Sequence, residues 1–214
     1  MNITDLVQGP LKDIIVQQAA SKLGLESPEK AGTAVDGIFA TLLNALNRNA
    51  STQEGANSLQ NALERDHDGS ILDDLTGFLT GANQPANPNT TNGEGILKHV
   101  LGDNQTNAAD AISRASGIDS GKIIKMMMMM APVVLGYLGK MKSQQSQVQQ
   151  QQQAQAPAGG LQDILKGLTQ TVNQQPSNQS IFAKLLDRDG DGNVMDDIAE
   201  MGVKSIFGKI LGGK

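Results

Sequence analysis

The chain has 214 residues, no cysteine, a formal net charge of −5 and only 2% aromatic residues. These values exclude disulfides, thiolate catalysis and Cys-ligated zinc, and they leave no basic surface to neutralise nucleic-acid phosphates. With no Trp, the core must be drawn from Leu, Ile, Val, Ala and Met, which suits a modest helical core with looser segments attached.

The opening MNITDLVQGP has Asp5 early, no basic n-region and no uninterrupted apolar run. This argues against a Sec-type signal and leads to the expectation of a soluble protein, cytoplasmic or exported by a signal-independent route. Pro10 opens a helix with Leu11, Ile14, Ile15 and Leu23 on one face, and Gly24 ends it. Ser27-Pro28-Glu29 starts a second, running through Val35, Ile38, Phe39, Leu42, Leu43 and Leu46 at three- and four-residue spacing. Ser51-Thr52-Gln53-Glu54 reads as a capping box before a helix carrying Leu59 and Leu63.

Beyond an acidic loop, Asp73-Asp74 suit the N-terminal end of a short helix with Leu75, Phe78 and Leu79. A Pro/Asn/Gly loop covers 81–93, and GILKHVLG and NAADAISRAS are helical pieces. A long apolar helix follows from Ser120 to about Lys142, with Pro132 inside it. Its run Met126–Leu138 is shorter than the roughly 20 residues that cross a bilayer. Met126–Met130 covers every face of a helix, which fits buried core better than a Met-rich partner groove. Residues 143–160 are Gln-rich and read as a flexible linker, separating a helical domain (1–142) from a C-terminal helical segment (161–214). A fainter echo links SKLGLESPEK and SRASGIDSGK, each placing Gly, an aliphatic residue, an acid and Ser between two helices.

LDRDGDGNVMDD, residues 186–197, packs five aspartates into a stretch where Arg188 is the one base. Counted from Asp187, acids stand at positions 1, 3 and 5, Gly192 at 6 and Asn193 at 7. This is the first half of an EF-hand loop, whose oxygens converge because the backbone winds around one point. Calcium takes about six to eight oxygens, and the standard loop closes the sphere with Glu at position 12. Here that position is Ile198, so Asp196 and Asp197 must serve.

A near-copy, 64–74, aligns without a gap as Glu64, Asp66, Asp68, Gly69, Ser70, then Asp73 and Asp74. Two calcium sites are therefore expected. The ligands are Asp187, Asp189, Asp191, Asn193, Asp196 and Asp197 in one, and Glu64, Asp66, Asp68, Ser70, Asp73 and Asp74 in the other. The second loop is the closer match, since Glu64 is longer than the usual Asp. His67 holds the outward fourth position and is expected to be a solvated side chain. Zinc would favour His or Cys, and magnesium resists dehydration by such a cage.

DHDGSILDDL, NGEGILKHVLGDNQ, ASGIDSGKIIKMM and APVVLGYLGK together resemble the bacterial YidB-like family (DUF 937), a domain of unknown function. The similarity covers most of residues 1–142, with GILKHVLG and APVVLGYLGK its most specific blocks. The resemblance implies an all-helical bacterial domain and supplies no catalytic residue.

The expectation is an all-α protein: a small helical bundle with two EF-hand-like helix–loop–helix calcium loops and a Gln-rich linker. Its expected role is non-enzymatic, as a calcium-stabilised interaction or structural module that binds a protein partner or itself. A calcium sensor is the alternative, disfavoured because position-12 Glu is what links the ion to helix opening. A hydrolase is a distant alternative. It lacks a G-x-S-x-G or Walker pattern, and His99 reads as a helix-surface residue. A membrane-surface protein is equally distant, because the charges flanking the apolar helix are few.

Overall fold

The computed structural model describes residues 9–82, 85, 87–151 and 161–173; within these every regular element is helical and no strand occurs. Helix α1 (Pro10–Leu23) starts on proline and ends at Gly24, whose φ of 59° is a left-handed conformation that glycine adopts without strain. Helix α2 (Pro28–Asn49) begins at Ser27, whose hydroxyl accepts the Lys30 N–H at 3.3 Å. Helix α3 (Gln53–Arg65) is capped by Thr52, which accepts the Gly55 N–H at 3.1 Å, so the cap is Thr52 rather than a Ser51–Glu54 box.

Four helices follow: α4 (Leu75–Thr80), α5 (Gly93–Leu101), α6 (Gln105–Ser116) and α7 (Ser120–Gln151). Asp74 caps α4 and Asn92 caps α5, each through its side-chain oxygen. The last described helix is α8 (Leu161–Asn173).

The core forms where α2 and α7 pack together. From α2 come Ile38, Leu42 and Leu43; from α7 come Ile123, Met126, Met127, Met130 and Leu138, all essentially without solvent exposure. Burying each such side chain contributes roughly 2 kcal/mol. The methionine run is therefore core, with Met128 and Met129 only partly buried at its edge. Ser120–Gln144 is long and apolar enough to cross a bilayer by length and composition alone, yet 67% of its most apolar 18 residues are buried inside the fold. Pro132 lies within α7 without ending it.

The two related turns face one another. In the α6–α7 turn, Gly117 adopts φ 70° and Asp119 accepts the N–H groups of Gly121 (3.0 Å) and Lys122 (3.2 Å). Lys122 Nζ then donates to Gly24 O in the α1–α2 turn at 3.3 Å, while the Lys30 side chain lies against Gly117. Each hairpin sends its lysine to the other's glycine turn. The echo between SKLGLESPEK and SRASGIDSGK is thus a three-dimensional relationship.

Two boundaries differ from the sequence expectation. Helix α7 continues through Gln151, so residues 143–151 of the Gln-rich segment are helix; residues 152–160 lie outside the described residues. Gln and Lys are good helix formers, and a helix already nucleated by its buried half extends until something stops it. Of the segment beyond 160, residues 161–173 are described, and they pack on the main core. Leu165 and Leu168 on α8 are buried in the same cluster as α2, and Gln162 Nε2 donates to Ala50 O at 2.9 Å.

Candidate functional site

The first acidic loop joins α3 to α4 and lies directly on α7. Gly69 turns the chain with φ 97°, after which Ser70–Leu72 form a single 3-10 turn that buries Ile71 and Leu72. Two glycines on α7 make room for this backbone. A Cβ on Gly139 would stand 1.8 Å from His67 O, and one on Gly136 would stand 2.5 Å from Ile71 Cγ2. From the other side, a Cβ on Gly69 would lie 2.7 Å from Lys140 Cβ. No space for a methyl group exists along this seam. The spacing G-Y-L-G in APVVLGYLGK carried that information. Likewise, a Cβ on Gly93 at the start of α5 would meet Met128 O at 2.0 Å.

The loop's negative charge is met by protein groups. Glu64 pairs with Lys142 and accepts from Gln60 Nε2 at 3.1 Å; the lysine contact holds its carboxyl below the usual carboxylate range. Asp66 Oδ1 accepts from Asn87 Nδ2 at 2.8 Å and Asn89 Nδ2 at 3.4 Å, and the Asn87 bond lowers its pKa. Its own carbonyl accepts the buried Thr90 hydroxyl at 2.6 Å. Asp68 accepts the Ser70 N–H at 2.9 Å, which lowers its pKa in turn. Asp73 pairs with Lys140 at 2.7 Å, and Asp74 accepts the Gly77 N–H at 2.9 Å.

In this arrangement the candidate ligands turn to separate partners. Among the described residues, no three Asp, Glu or His side chains gather where a metal ion would sit. Holding one ion between them would require these side chains to turn toward a common point. Asp187, Asp189, Asp191, Asn193, Asp196 and Asp197 lie outside the described residues.

His67 reverses its expected placement. It is 4% exposed rather than solvated, and its Nδ1 has no hydrogen-bond partner. The backbone of the loop is pressed onto α7, with His67 O lying where a Cβ on Gly139 would stand, and the side chain at position 4 is buried. Burial pushes the imidazole pKa down, against the pull of Asp66 and Asp68. His99 is exposed on α5, as its helix-surface reading requires. Asn87, Asn89 and Thr90, which tie the acidic loop down, gave no signal beyond loop composition.

The architecture is thus an all-helical bundle whose acidic inter-helix loop is seated on a glycine seam of its central helix. The chain belongs to a bacterial protein family of unknown function, DUF937, whose model matches residues 5–141 and again residues 142–214. The YidB-like resemblance is consistent with this membership. No curated protein and no solved structure matches the chain significantly.

Proposed function

We propose that the protein is non-enzymatic and acts by binding another protein or a second copy of itself, with calcium stabilising it through its acidic loops. The observation that carries this reading is the seating of loop 64–74 on α7 without room for a methyl group between them. A ligand that tightens this loop acts directly on the core, so its binding energy becomes folding energy. The gapless repeat of the acidic pattern at 187–197 supports the ion over a solvated turn. Position 12 is Leu75 in the first loop and Ile198 in the second, which favours a stabiliser over a sensor.

The test compares thermal melts in millimolar calcium, in magnesium and in chelator. Calcium at a hundredfold excess over its Kd is expected to add about 2.7 kcal/mol, with magnesium adding little. Identical midpoints in all three would remove calcium from the reading. In calorimetry, Asp189→Ala is expected to abolish the tighter transition and Asp66→Ala the weaker one, because Gly190 and Gly192 let the second loop wrap with less strain.

A further inference from the structure

Beside the acidic loop, α3 and α5 run antiparallel without closing on each other. At one end Asn49 Nδ2, just before α3, donates to Val100 O at 3.0 Å near the end of α5. At the other, Asp66 meets Asn87 and Asn89 ahead of α5. Between them lies a groove of about 700 Å³. Its α3 wall is Gly55, Ser58, Leu59 and Ala62, and its α5 wall is Gly95, Ile96 and Val100. The spacing 55, 58/59, 62 on α3 and 96, 100 on α5 keeps each set on one face of its helix. Leu46 and Leu135 contribute further apolar lining.

Two observations separate this groove from a packing fault. Its α3 wall carries the small residues Ser58 and Ala62, whereas the seam on α7 is closed to a methyl group; Gly55 and Gly95 pack closely at the starts of their helices, where an added Cβ would stand 1.8 Å from Asn49 O and 2.6 Å from Asn92 Nδ2. It is also lined by His67, a buried side chain whose Nδ1 has no partner. Native proteins pair nearly all buried polar atoms, and one left open beside a cavity points to something that fills it.

We propose that the groove binds an uncharged amphiphile, with an aliphatic body held between α3 and α5 and a hydroxyl- or amide-bearing head hydrogen-bonded to His67. The volume lies within the range of sites that enclose drug-sized ligands, and the mix of apolar walls with a few polar groups is typical of them. Asp66 stands beside His67 on the lining, so an anionic head would be repelled at that end. Arg48 and Glu54 flank the groove with opposite charges, so Asp66 leaves the lining net negative and adds to the bias against an anionic head. Asp66 is shared with the proposed calcium loop, so the groove is tested with that loop free of calcium.

The test is an NMR titration of the full-length protein, in chelator, with octyl glucoside below its micelle threshold. Saturable shifts are expected at the Gly55, Gly95 and Ile96 amides. Glucose alone is expected to cause none, and octyl sulfate to bind at least about tenfold more weakly. Ser58 is exposed on α3, so Ser58→Trp blocks the groove without touching the core; it is expected to abolish binding at an unchanged melting temperature. His67→Leu is expected to weaken the glucoside about tenfold through the lost hydrogen bond. If His67→Leu does not fold, Ser58→Trp decides alone. Absence of saturable binding, full binding by Ser58→Trp, or equal affinity for octyl sulfate would overturn the proposal. So would binding that begins only above the micelle threshold, since a membrane-like surface would then be the ligand.

Discussion

The unit formed by α3 and the acidic loop has two sides built on opposite terms. Toward α7 its backbone presses into a seam where Gly136 and Gly139 leave no room for a Cβ. Toward α5 it borders about 700 Å³ of open groove. His67 belongs to both: its carbonyl oxygen lies against Gly139, and the residue borders the groove. The chain can pack to contact where its sequence calls for it. The two sides of this unit are therefore packed on different terms, and the proposed binding would fall on the open one.

The sharpest way to break this contrast is to fill the seam. Gly139→Ala places a methyl group 1.8 Å from a backbone oxygen, which no rotamer change relieves. The expected cost is about 3 kcal/mol or more, after roughly 1 kcal/mol of helix propensity is regained. Gly32→Ala is the control. It lies inside α2 with nothing within 4 Å of the added Cβ, so a gain of up to about 1 kcal/mol is expected. Denaturant melts followed by helical circular dichroism read both, and equal effects would mean that the seam is not close-packed.

Leu165→Ala comes next, at an expected cost of about 2–4 kcal/mol. This side chain, on α8, has 0% exposure within the shared core. A single cooperative transition shifted downward would place residues 161–173 in the same folding unit as α2. Two separate transitions would restore the division that the Gln-rich segment suggests.

That division shows where sequence reading reaches its limit. Helix starts at Pro10, Ser27 and Asp74 were legible because caps and proline act locally. The burial of Met126, Met127 and Met130 was legible because a run apolar on every face has nowhere else to go. The fate of the Gln tract was not, since a polar segment continues a helix or leaves it according to what precedes it in space. His67 failed for a related reason. The loop pattern matched a motif by spacing, but the His67 backbone is seated on Gly139, seventy-two residues away, which spacing along the loop does not reveal.

A pH series sharpens the contrast at His67 itself. Burial lowers its folded pKa below the ordinary 6.5, so the unfolded chain takes the proton first. Stability is then fully present above about pH 6.5 and lost as pH falls toward the folded pKa. Asp66 and Asp68 flank the ring and oppose this shift without cancelling it. The lowered pKa values of Glu64, Asp66 and Asp68 act in a separate window, where stability is lost in stronger acid, below about pH 4. Melts in chelator from pH 7.5 to 5 are expected to fall for the native chain and to stay flat for His67→Leu. A native chain that is flat across the same range would mean that His67 is reached by water.

The smallest expected effect separates lysine from calcium as the partner of the loop. Lys140 and Asp73 form a surface ion pair at 2.7 Å, with the carboxylate side chain 70% exposed, so Lys140→Ala is expected to cost no more than about 1 kcal/mol in chelator. High salt should shrink that cost further, because exposed charges are screened. The informative quantity is the response to calcium. If Asp73 is a ligand, Lys140 competes with the ion for the same oxygens, and removing the lysine enlarges the calcium-induced rise in melting temperature. Lys142→Ala tests Glu64 by the same logic at the other end of the loop. A calcium response unchanged in both variants would mean that these two carboxylates serve the lysines alone, and that any ion held by the first loop rests on Asp66, Asp68, Ser70 and Asp74.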